Sequence, residues 1–363
     1  MDLRPKKLDW YIFKKFILTF FFAILLIIGI TIIFDISEKI DHFVANDAPL
    51  KAIIFDYYVN FIPFFINMYS PLFVFITVIF FTSVMASNSE IIAILSGGVS
   101  YHRMMVPYMV GALLIAILSL GLNLYVIPVS NQTRLKFEQT YVKKQKLLNN
   151  RDVHFQIDSG TFVYVEQFST WNNTAYRFTL ESVKDNRLVS KLSAETASWD
   201  STAGAWKLRK YFIRDYTEGL EDNVRTGSQK DTIIPLTVSD FYRNKATVQT
   251  LPYGELKELM KVQRMRGDAS IIYSDIEKHQ RFALPFSTFI LTLMGVALSS
   301  RKRRGGIGWN IAAGIALAFS YILFLKFSQM FVFNGMMSAG LALWVPNILF
   351  AFITAYLYKK APK

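Results

Sequence analysis

Histidines are the residues of this sequence best suited to metal binding or proton transfer, but their spacing supports neither. His42, His102, His154 and His279 lie far apart along the chain, without the spacing of metal ligands. The sequence contains no GxxxxGK(S/T) loop, so the chain cannot hold ATP phosphates by that device. Ser, His, Asp and Glu are not clustered at catalytic spacing either. We therefore expect no catalytic, metal or cofactor site in this chain.

Two lysines in apolar surroundings are better candidates for binding a ligand. Lys326 lies late in the predicted helix at about 307–331, inside a stretch of 54 residues that contains no other charged residue. An ionisable residue in a membrane span is costly and often marks a site of function, but a lysine also extends readily to the membrane interface. Lys39, near the end of the first apolar segment, has the same two interpretations, and Asp35, Glu38 or Asp41 could pair with it. An anionic headgroup and a structural anchor remain alternatives for both lysines.

The segment ASNSEIIAILSGGVS, residues 86–100, predicts a short helix directly after an apolar span. Ser87 and Glu90 have the spacing of a capping box, and Gly97 begins a Gly-Gly helix stop. Residues 91–95 are apolar on every face of this helix, yet too few to cross a bilayer. We expect the helix to be covered by protein on more than one side.

Charge-free runs predict the membrane helices that carry these residues. The chain has 363 residues, is 52% hydrophobic, carries a formal charge of +13 and contains no cysteine, so disulfides are excluded. Runs of about 20 apolar residues are long enough to cross the hydrocarbon core. Such runs predict six helices at about 13–35, 57–86, 104–128, 282–300, 307–331 and 339–358. The predicted organisation is a first membrane α-helical part at 1–133, an inserted domain at 134–268 and a second membrane part at 269–363.

Basic residues in the short loops predict the orientation of the helices. The loop 35–56 is mostly acidic, whereas basic residues collect on the other side of the six spans. They are Arg4, Lys6, Lys7, Lys14, Lys15, Arg103, Arg301, Lys302, Arg303, Arg304, Lys359, Lys360 and Lys363. Because short cytoplasmic loops carry an excess of Lys and Arg, we expect both termini and the short helix in the cytoplasm. The inserted domain is then expected on the far side, and no nucleic-acid partner is expected.

The inserted domain is predicted to be all-β. Residues 160–168 are rich in aromatic and β-branched types, and residues 174–183 and 204–216 alternate between apolar and polar types. Turn residues separate these runs. The even spacing is typical of a sandwich, a jellyroll or an open barrel.

The apolar rows of these strands have two interpretations. Strict alternation predicts that Tyr176, Phe178 and Leu180 share one face of their strand. Such a row forms either the core of the domain or the lining of a space for acyl chains that leave the bilayer. The candidate residues for an acyl path are Phe162, Tyr164, Tyr176, Phe178, Leu180 and Trp206.

The whole chain resembles the LptF/LptG (YjgP/YjgQ) permeases of the lipopolysaccharide export system. The resemblance lies in the order of parts, three helices, a β domain and three helices, and in four segments. These segments are ASNSEIIAILSGGVS, YGELKELMKVQRMRGD at 253–268, IEKHQRFALPFSTFILTLMGVALSSRKRRGGIG at 276–308 and LWVPNILF at 343–350. Together they are specific to the family, although each alone would be weak. The F and G members share them, so the segments do not distinguish the two.

The resemblance implies a permease subunit of an ABC transporter in the bacterial inner membrane, with a periplasmic β-jellyroll domain. Such permeases pair with a second LptF/LptG-type subunit and sit on a dimer of LptB-type ATPases, which would bind the ATP and Mg. A homodimer is an alternative. Helices one and five of the two subunits form lateral gates through which lipopolysaccharide enters. The β domain passes the lipid to LptC- and LptA-type periplasmic proteins, toward the outer membrane.

The resemblance also implies roles for individual residues. The segment after helix two, here residues 87–97, is the coupling helix that docks in a groove of the ATPase. The residues expected to couple are Ser87, Glu90, Ile91, Ile94, Leu95 and Gly97. One feature departs from the family, because the outer end of helix one is basic in family members and mostly acidic here. Lys39 and Lys326 are the candidate headgroup residues of this chain.

Three other classes of protein compete with a lipid permease. A mechanotransmission subunit of the MacB or FtsX type also uses far-side domains and a partner ATPase without carrying lipid, but it usually has four helices. A membrane enzyme that modifies lipids is disfavoured by the lack of clustered catalytic residues. A structural anchor for a β domain needs only one helix. Lipid that co-purifies with the protein distinguishes the permease from the mechanotransmission subunit.

Overall fold

The computed structural model describes residues 6–142, 150–169, 171–216, 222–241, 245–301 and 306–361. The chain divides into two compact units, Met1–Val142 with Asp275–Lys363, and Lys143–Ser274. We call the first the helical unit and the second the β unit. Several basic residues on which the predicted orientation depends lie outside the described residues, namely Arg4, Lys302, Arg303, Arg304 and Lys363.

Among the described residues, six helical segments are long and apolar enough to cross a membrane, as the charge-free runs predict. The helices are α1 (Lys7–Ala45), α2 (Leu50–Ala52), α3 (Val59–Ser87), α4 (Glu90–Ser96), α5 (Tyr101–Gly121), α6 (Ile127–Phe137), α7 (Val238–Phe241), α8 (Lys245–Val248), α9 (Tyr253–Met265), α10 (Ile271–Ser299), α11 (Gly306–Phe333) and α12 (Ala339–Lys360). A π-helical turn, Ile53–Tyr58, joins α2 to α3, so these two form one span. The prediction of a six-helix membrane protein is confirmed.

The third span is longer than predicted, because Pro128 does not end it. A π-helical turn, Leu122–Val126, joins α5 to α6, and Pro128 lies in the first turn of α6. A proline removes one i→i−4 hydrogen bond from a helix, and here it follows a π-helical turn in which that regular ladder is already replaced. The chain stays helical to Val142, and the predicted boundary at 133/134 falls inside this span. The predicted end near Pro128 is wrong.

A stack of aromatic rings holds α1 against α3 and α5. Phe16, Phe81 and Tyr108 are buried, and the ring centroids of Phe81 and Tyr108 lie 5.3 Å apart. Phe16 also lies against Gly111, where a Cβ would meet the Phe16 Cδ1 atom at 2.5 Å. In a membrane the hydrophobic effect does not drive helices together, so their association depends on close packing. Small residues allow that close approach. Gly111 therefore fixes the distance between α1 and α5.

Two groups of polar side chains in the interior of the helical unit bond to each other. Asn67 Nδ2 donates to Asn123 Oδ1 at 2.8 Å, and Ser119 Oγ donates to Asn67 Oδ1 at 2.6 Å, with all three residues buried. The Tyr321 hydroxyl donates to Asn347 Oδ1 at 2.9 Å. An unpaired polar group in hydrocarbon costs several kcal/mol, so such bonds select which helices become neighbours. The first cluster joins α3 to α5 and the π-helical turn after it, and the second joins α11 to α12.

The β unit contains one antiparallel six-stranded sheet whose strands follow each other in chain order. The strands are β1 (Asn150–Asp158), β2 (Thr161–Ser169), β3 (Thr174–Lys184), β4 (Arg187–Asp200), β5 (Ala205–Asp215) and β6 (Asn223–Thr232). Each strand pairs with the next as a hairpin, so the described strands form a meander. The predicted β domain inserted between the third and fourth membrane spans is confirmed, and the same unit also contains the helices α7, α8 and α9.

One line of irregular residues crosses this sheet at a single level. Asp152, Arg177 and Lys210, in the first, third and fifth strands, have left-handed backbone with φ of 53°, 49° and 50°. In β3, Tyr176 and Arg177 both point outward, while Ala175 and Phe178 on either side are buried. The apolar alternation therefore shifts by one residue at this level. We call this row the shift line, and it consists of Asp152, Glu166, Arg177, Glu195, Lys210 and Ser228.

The shift line corrects the predicted faces of the strands. Tyr176 is 38% exposed and Phe178 is 1% exposed, so the prediction that they share a face is wrong. The left-handed Arg177 between them breaks the alternation, which no period-two pattern anticipates. In β2, Val163 and Val165 are buried on one side of the shift line, so Phe162 and Tyr164 beside them lie on the opposite face. Of the six candidate residues for an acyl path, three lie on the inner face, namely Phe178, Leu180 and Trp206. The other three lie on the outer face, namely Phe162, Tyr164 and Tyr176.

The inner face of the sheet is packed by side chains of the β unit itself. Trp206 is fully buried, and its Nε1–H donates to the Leu236 carbonyl at 2.8 Å. The ring of Phe241 in α7 stacks on Phe168, with centroids 4.0 Å apart. The segment after the last strand thus returns to cover the inner face, and the apolar row forms the core of this unit.

We expect Gly111→Ala to destabilise the protein by about 1–3 kcal/mol, because overpacking a closed core forces side chains from their preferred positions. Gly121→Ala is the matched control, since a Cβ at this helical glycine meets nothing within 4 Å. The measurement is the thermal unfolding midpoint of each full-length variant in the same detergent. Equal midpoints for the parent and Gly111→Ala would contradict the described packing.

Candidate functional site

The short helix α4 lies between α3 and α5, near the first turns of α1. Only Asn88 and Ser89 separate α3 from α4, and Ser89 has a left-handed φ of 61° that turns the chain. Gly98, with a φ of 83°, follows the end of α4 in a conformation that strains other residue types. A left-handed residue therefore interrupts the helical backbone on each side of α4.

Glu90 does not form the predicted capping box. Ser87 still belongs to α3, where its hydroxyl donates to the Val84 carbonyl at 2.8 Å. Glu90 instead accepts hydrogen bonds from the Tyr11 hydroxyl at 2.9 Å and from the Asn88 amide at 3.3 Å. In a capping box the serine is the N-cap and the glutamate is the third residue of the helix. Here α4 begins at Glu90 itself, so the capping-box prediction is wrong.

Two acidic residues join α1 to the starts of α4 and α5. Lys15 Nζ lies 3.7 Å from Glu90 Oε1, beside the bond from Tyr11. Asp9 accepts two hydrogen bonds from the Arg103 guanidinium, at 2.5 and 2.7 Å. A bidentate pair of this kind fixes both distance and orientation. Glu90 therefore connects α4 directly to α1.

One side of α4 lies in the core and the other side is exposed. Ile91 is 1% exposed, and Ile94 and Leu95 pack partly buried against the same cluster of α1, α3 and α5 side chains. Ile92 is 52% exposed, and Ala93 is exposed beside it. The outer side is thus an apolar surface available to a second protein.

Sequence reasoning missed part of this site. An all-apolar run has no polar positions from which its faces can be assigned, so Ile91, Ile94 and Leu95 were chosen and Ile92 was not. The link from Glu90 to α1 was missed because Tyr11 is distant in the sequence. The available signal is the pair Tyr11 and Lys15, which stand four residues apart and bond to each other at 2.9 Å on one face of α1.

Lys39 has a carboxylate and aromatic partners inside the helical unit. Its Nζ lies 2.6 Å from Asp35 Oδ1 and contacts the Tyr57 hydroxyl. The Tyr58 hydroxyl donates to Asp35 Oδ2 at 3.1 Å. The side chains of Lys39 and Asp35 are only 18% and 10% exposed. In the structure Lys39 therefore pairs with a nearby acidic residue, Asp35, and its charge is enclosed by the protein.

Lys326 has a different environment from Lys39. It is exposed on α11 and lines a small cavity, about 60 Å³, together with Gln280 and Tyr321. Arg281, the next residue of α10, is 1% exposed and donates from Nε to Glu277 Oε1 at 2.9 Å. The Arg281 charge is thus enclosed, whereas the Lys326 side chain is accessible. Its contact with a lipid headgroup stays a prediction.

The histidines are separate in the structure as well. His42 is in α1 and His279 in α10, while the His102 Nδ1 atom lies 3.3 Å from the Tyr358 hydroxyl. Within the described ranges, no group of three or more His, Cys, Asp and Glu residues is arranged to hold a metal ion.

We expect Asp35→Ala to destabilise the protein by about 1–3 kcal/mol, because it leaves the half-buried Lys39 charge without its carboxylate. The double variant Asp35→Ala with Lys39→Met removes both charges and recovers most of that loss. The readout is the thermal unfolding midpoint of the full-length protein in detergent. A single variant as stable as the parent would show that the ion pair contributes nothing.

Sequence comparisons agree with this architecture. The family described as lipopolysaccharide export system permease LptF/LptG matches residues 10–360 of the 363-residue chain. None of the curated proteins compared with the chain matches it. The family match includes both parts of the helical unit and the whole β unit between them.

Proposed function

Because the chain belongs to the LptF/LptG family of lipopolysaccharide export permeases, we propose that it is the membrane subunit of an ATP-driven transporter that extracts lipopolysaccharide from the inner membrane. The observation that carries this proposal is the family match over residues 10–360. The six apolar spans with a β domain inserted between the third and fourth support it. In this proposal both termini are cytoplasmic, and the β domain is periplasmic.

A second LptF/LptG-type subunit is proposed to pack against α1 and α11. These are the first and fifth spans, to which the resemblance assigns the lateral gates. In the most apolar stretch of α1 17% of the residues are buried, and in α11 28%, against 72% in α10. Long apolar faces that their own unit leaves uncovered support a role in contacting lipid and a partner. That partner is either a related permease chain or a second copy of this chain. The subunit composition of the purified complex distinguishes the two.

An LptB-type ATPase dimer is proposed to bind the outer side of α4 and to supply the ATP and Mg site. The contact would be made by Ile92 and Ala93, with Gly97 at the end of the helix. Ile91, Ile94 and Leu95 support the helix from inside. Glu90 would pass the movement to α1 through Tyr11 and Lys15, and thereby to a gate helix.

The cargo path is proposed to run from the gate to the inner face of the β domain and on to LptC- and LptA-type proteins. Lys326 is retained as the headgroup contact because its side chain is accessible. Phe178, Leu180 and Trp206 are retained as acyl-path residues. Since Phe178 and Trp206 are fully buried, acyl chains reach them only if the segment after β6 moves away. The first and last strands each pair with only one other strand among the described strands, and the last strand in particular supports strand-to-strand transfer to a bridge protein.

The proposed function is tested by purifying the full-length protein from its native membrane and identifying the proteins and lipids that accompany it. We expect a P-loop ATPase subunit and lipopolysaccharide. An ATPase without lipopolysaccharide would favour a mechanotransmission subunit, and the absence of both would contradict the proposal.

We expect Ile92→Glu to abolish most co-purification of the ATPase subunit, because it places a charge in an apolar contact. Leu50→Glu is the control. Leu50 is 71% exposed, but it lies in α2, at the opposite end of the Leu50–Ser87 span from α4. Both variants are compared by the yield of ATPase per permease after gentle detergent extraction. Equal yields for the two variants would remove the outer side of α4 from the interface.

The route through α1 is tested by Tyr11→Phe. This change removes the hydroxyl that donates to Glu90 and leaves the exposed side of α4 intact. We expect ATPase binding to persist while lipopolysaccharide release per ATP hydrolysed falls severalfold in reconstituted vesicles. Glu90→Gln, which can still accept from Tyr11, should retain more coupling than Glu90→Ala. Normal coupling in both Tyr11→Phe and Glu90→Ala would show that the movement does not pass through this contact.

A further inference from the structure

Two apolar grooves flank the first half of α5. One lies between α5, α10 and α12 with a volume of about 800 Å³, and the other lies between α5 and α1 with about 260 Å³. Val106 and Val110 line both grooves and form a ridge between them. The larger volume falls in the range of ligand sites, roughly 300–1,000 Å³.

The walls of both grooves are apolar along most of their length. Met109, Leu113 and Phe289 line the larger groove, and its described lining contains no acidic residue. Trp10 and Phe13 of α1 line the smaller groove, with their rings stacked 5.6 Å apart. Hydrocarbon chains fit such walls, whereas a polar ligand would lose its hydration without replacement bonds.

Basic residues stand at one end of this pair of grooves. His102, in the first turn of α5, and Lys359, in the last turn of α12, both line the larger groove. The contact of 3.3 Å between His102 Nδ1 and the Tyr358 hydroxyl ties the two helices together there. At the smaller groove the charge of Arg103 is matched by Asp9. Lys359 therefore gives the shared mouth its excess positive charge.

We propose that the two grooves bind one anionic glycerophospholipid, with one acyl chain on each side of the Val106–Val110 ridge and the phosphate at Lys359 and His102. Two grooves that share a ridge match a lipid with two chains, and a cationic mouth matches an anionic headgroup. The bound lipid packs against Trp10 and Phe13, and so holds the start of α1 against α5. This site is separate from the cargo path and does not depend on the proposed transport of lipopolysaccharide.

The probes are dioleoylphosphatidylglycerol and dioleoylphosphatidylcholine, which differ in headgroup charge and share their acyl chains. Each is titrated into the detergent-purified full-length protein, and bound lipid is counted by native mass spectrometry. We expect the first phosphatidylglycerol to bind with a dissociation constant about fivefold lower than that of the first phosphatidylcholine. A factor of this size is what one lysine contributes to the binding of an anionic headgroup. The double variant Lys359→Gln with His102→Gln should abolish this preference. Lys14→Gln, which removes an exposed cation of α1 that lines neither groove, should keep it.

Filling the larger groove tests the acyl part of the site. Ala355→Trp should weaken the first binding step of both lipids severalfold, whereas Leu349→Trp, exposed on the same helix and outside the grooves, should not. Leu113→Trp, on the opposite wall, gives a second filling variant if Ala355→Trp does not fold. Equal affinities of the parent for the two lipids, or a preference that survives the double variant, would overturn the proposal and identify the bound molecules as ordinary surrounding lipid.

Discussion

The cost of an unpaired polar group in hydrocarbon is the constraint on which the helical unit depends. Apolar helix surfaces do not distinguish one neighbour from another in a bilayer, since lipid chains are equally apolar. Polar side chains do, because each must find a partner in the protein. The Asn67–Asn123–Ser119 cluster, the bond from Tyr58 to Asp35 and the bond from Tyr321 to Asn347 each satisfy such groups by joining two helical segments. These few contacts select the helix neighbours, and aromatic and glycine packing then sets the distances.

The same chemistry at the first turns of α1 links the parts of the molecule that move in the proposed mechanism. Glu90 joins α4 to α1, and the Asp9–Arg103 pair joins α1 to α5. Among the six spans of the described residues, α1 has the smallest buried share in its most apolar stretch, 17%. α1 is held at its start by these contacts and near its other end by the bond from Tyr58 to Asp35, while most of its apolar stretch is left uncovered. The start of α1 is the end that a movement of α4 would reach first. The proposed phospholipid would act at the same end, by packing between α1 and α5.

The sequence predicted those features that depend on composition over long windows. Six spans and a β insertion follow from charge-free runs and alternation, because each averages over many residues. Features set by a single residue were missed. Pro128 was expected to end a helix that a π-helical turn carries onward, and Ser87 was expected to cap a helix that begins at Glu90. The faces of α4 could not be assigned because every residue from Ile91 to Leu95 is apolar, so only packing distinguishes inner from outer. The partner of Lys39 could be narrowed to nearby acids but not to Asp35.

The shift line of the β unit constrains how this domain changes during evolution. Left-handed residues in β1, β3 and β5 stand opposite outward residues of the strands between them, and ion pairs of 2.7 and 2.6 Å join Arg177 to Glu166 and Lys210 to Glu195. The four central strands, β2 to β5, therefore exchange inner and outer positions at one common level. Loss or gain of one residue within a strand would move the shift line in that strand out of level with its neighbours. On one side of the line, the apolar residues of that strand would then face water. Length variation in this domain is therefore expected at the hairpin tips, while the distance from each tip to the line stays constant.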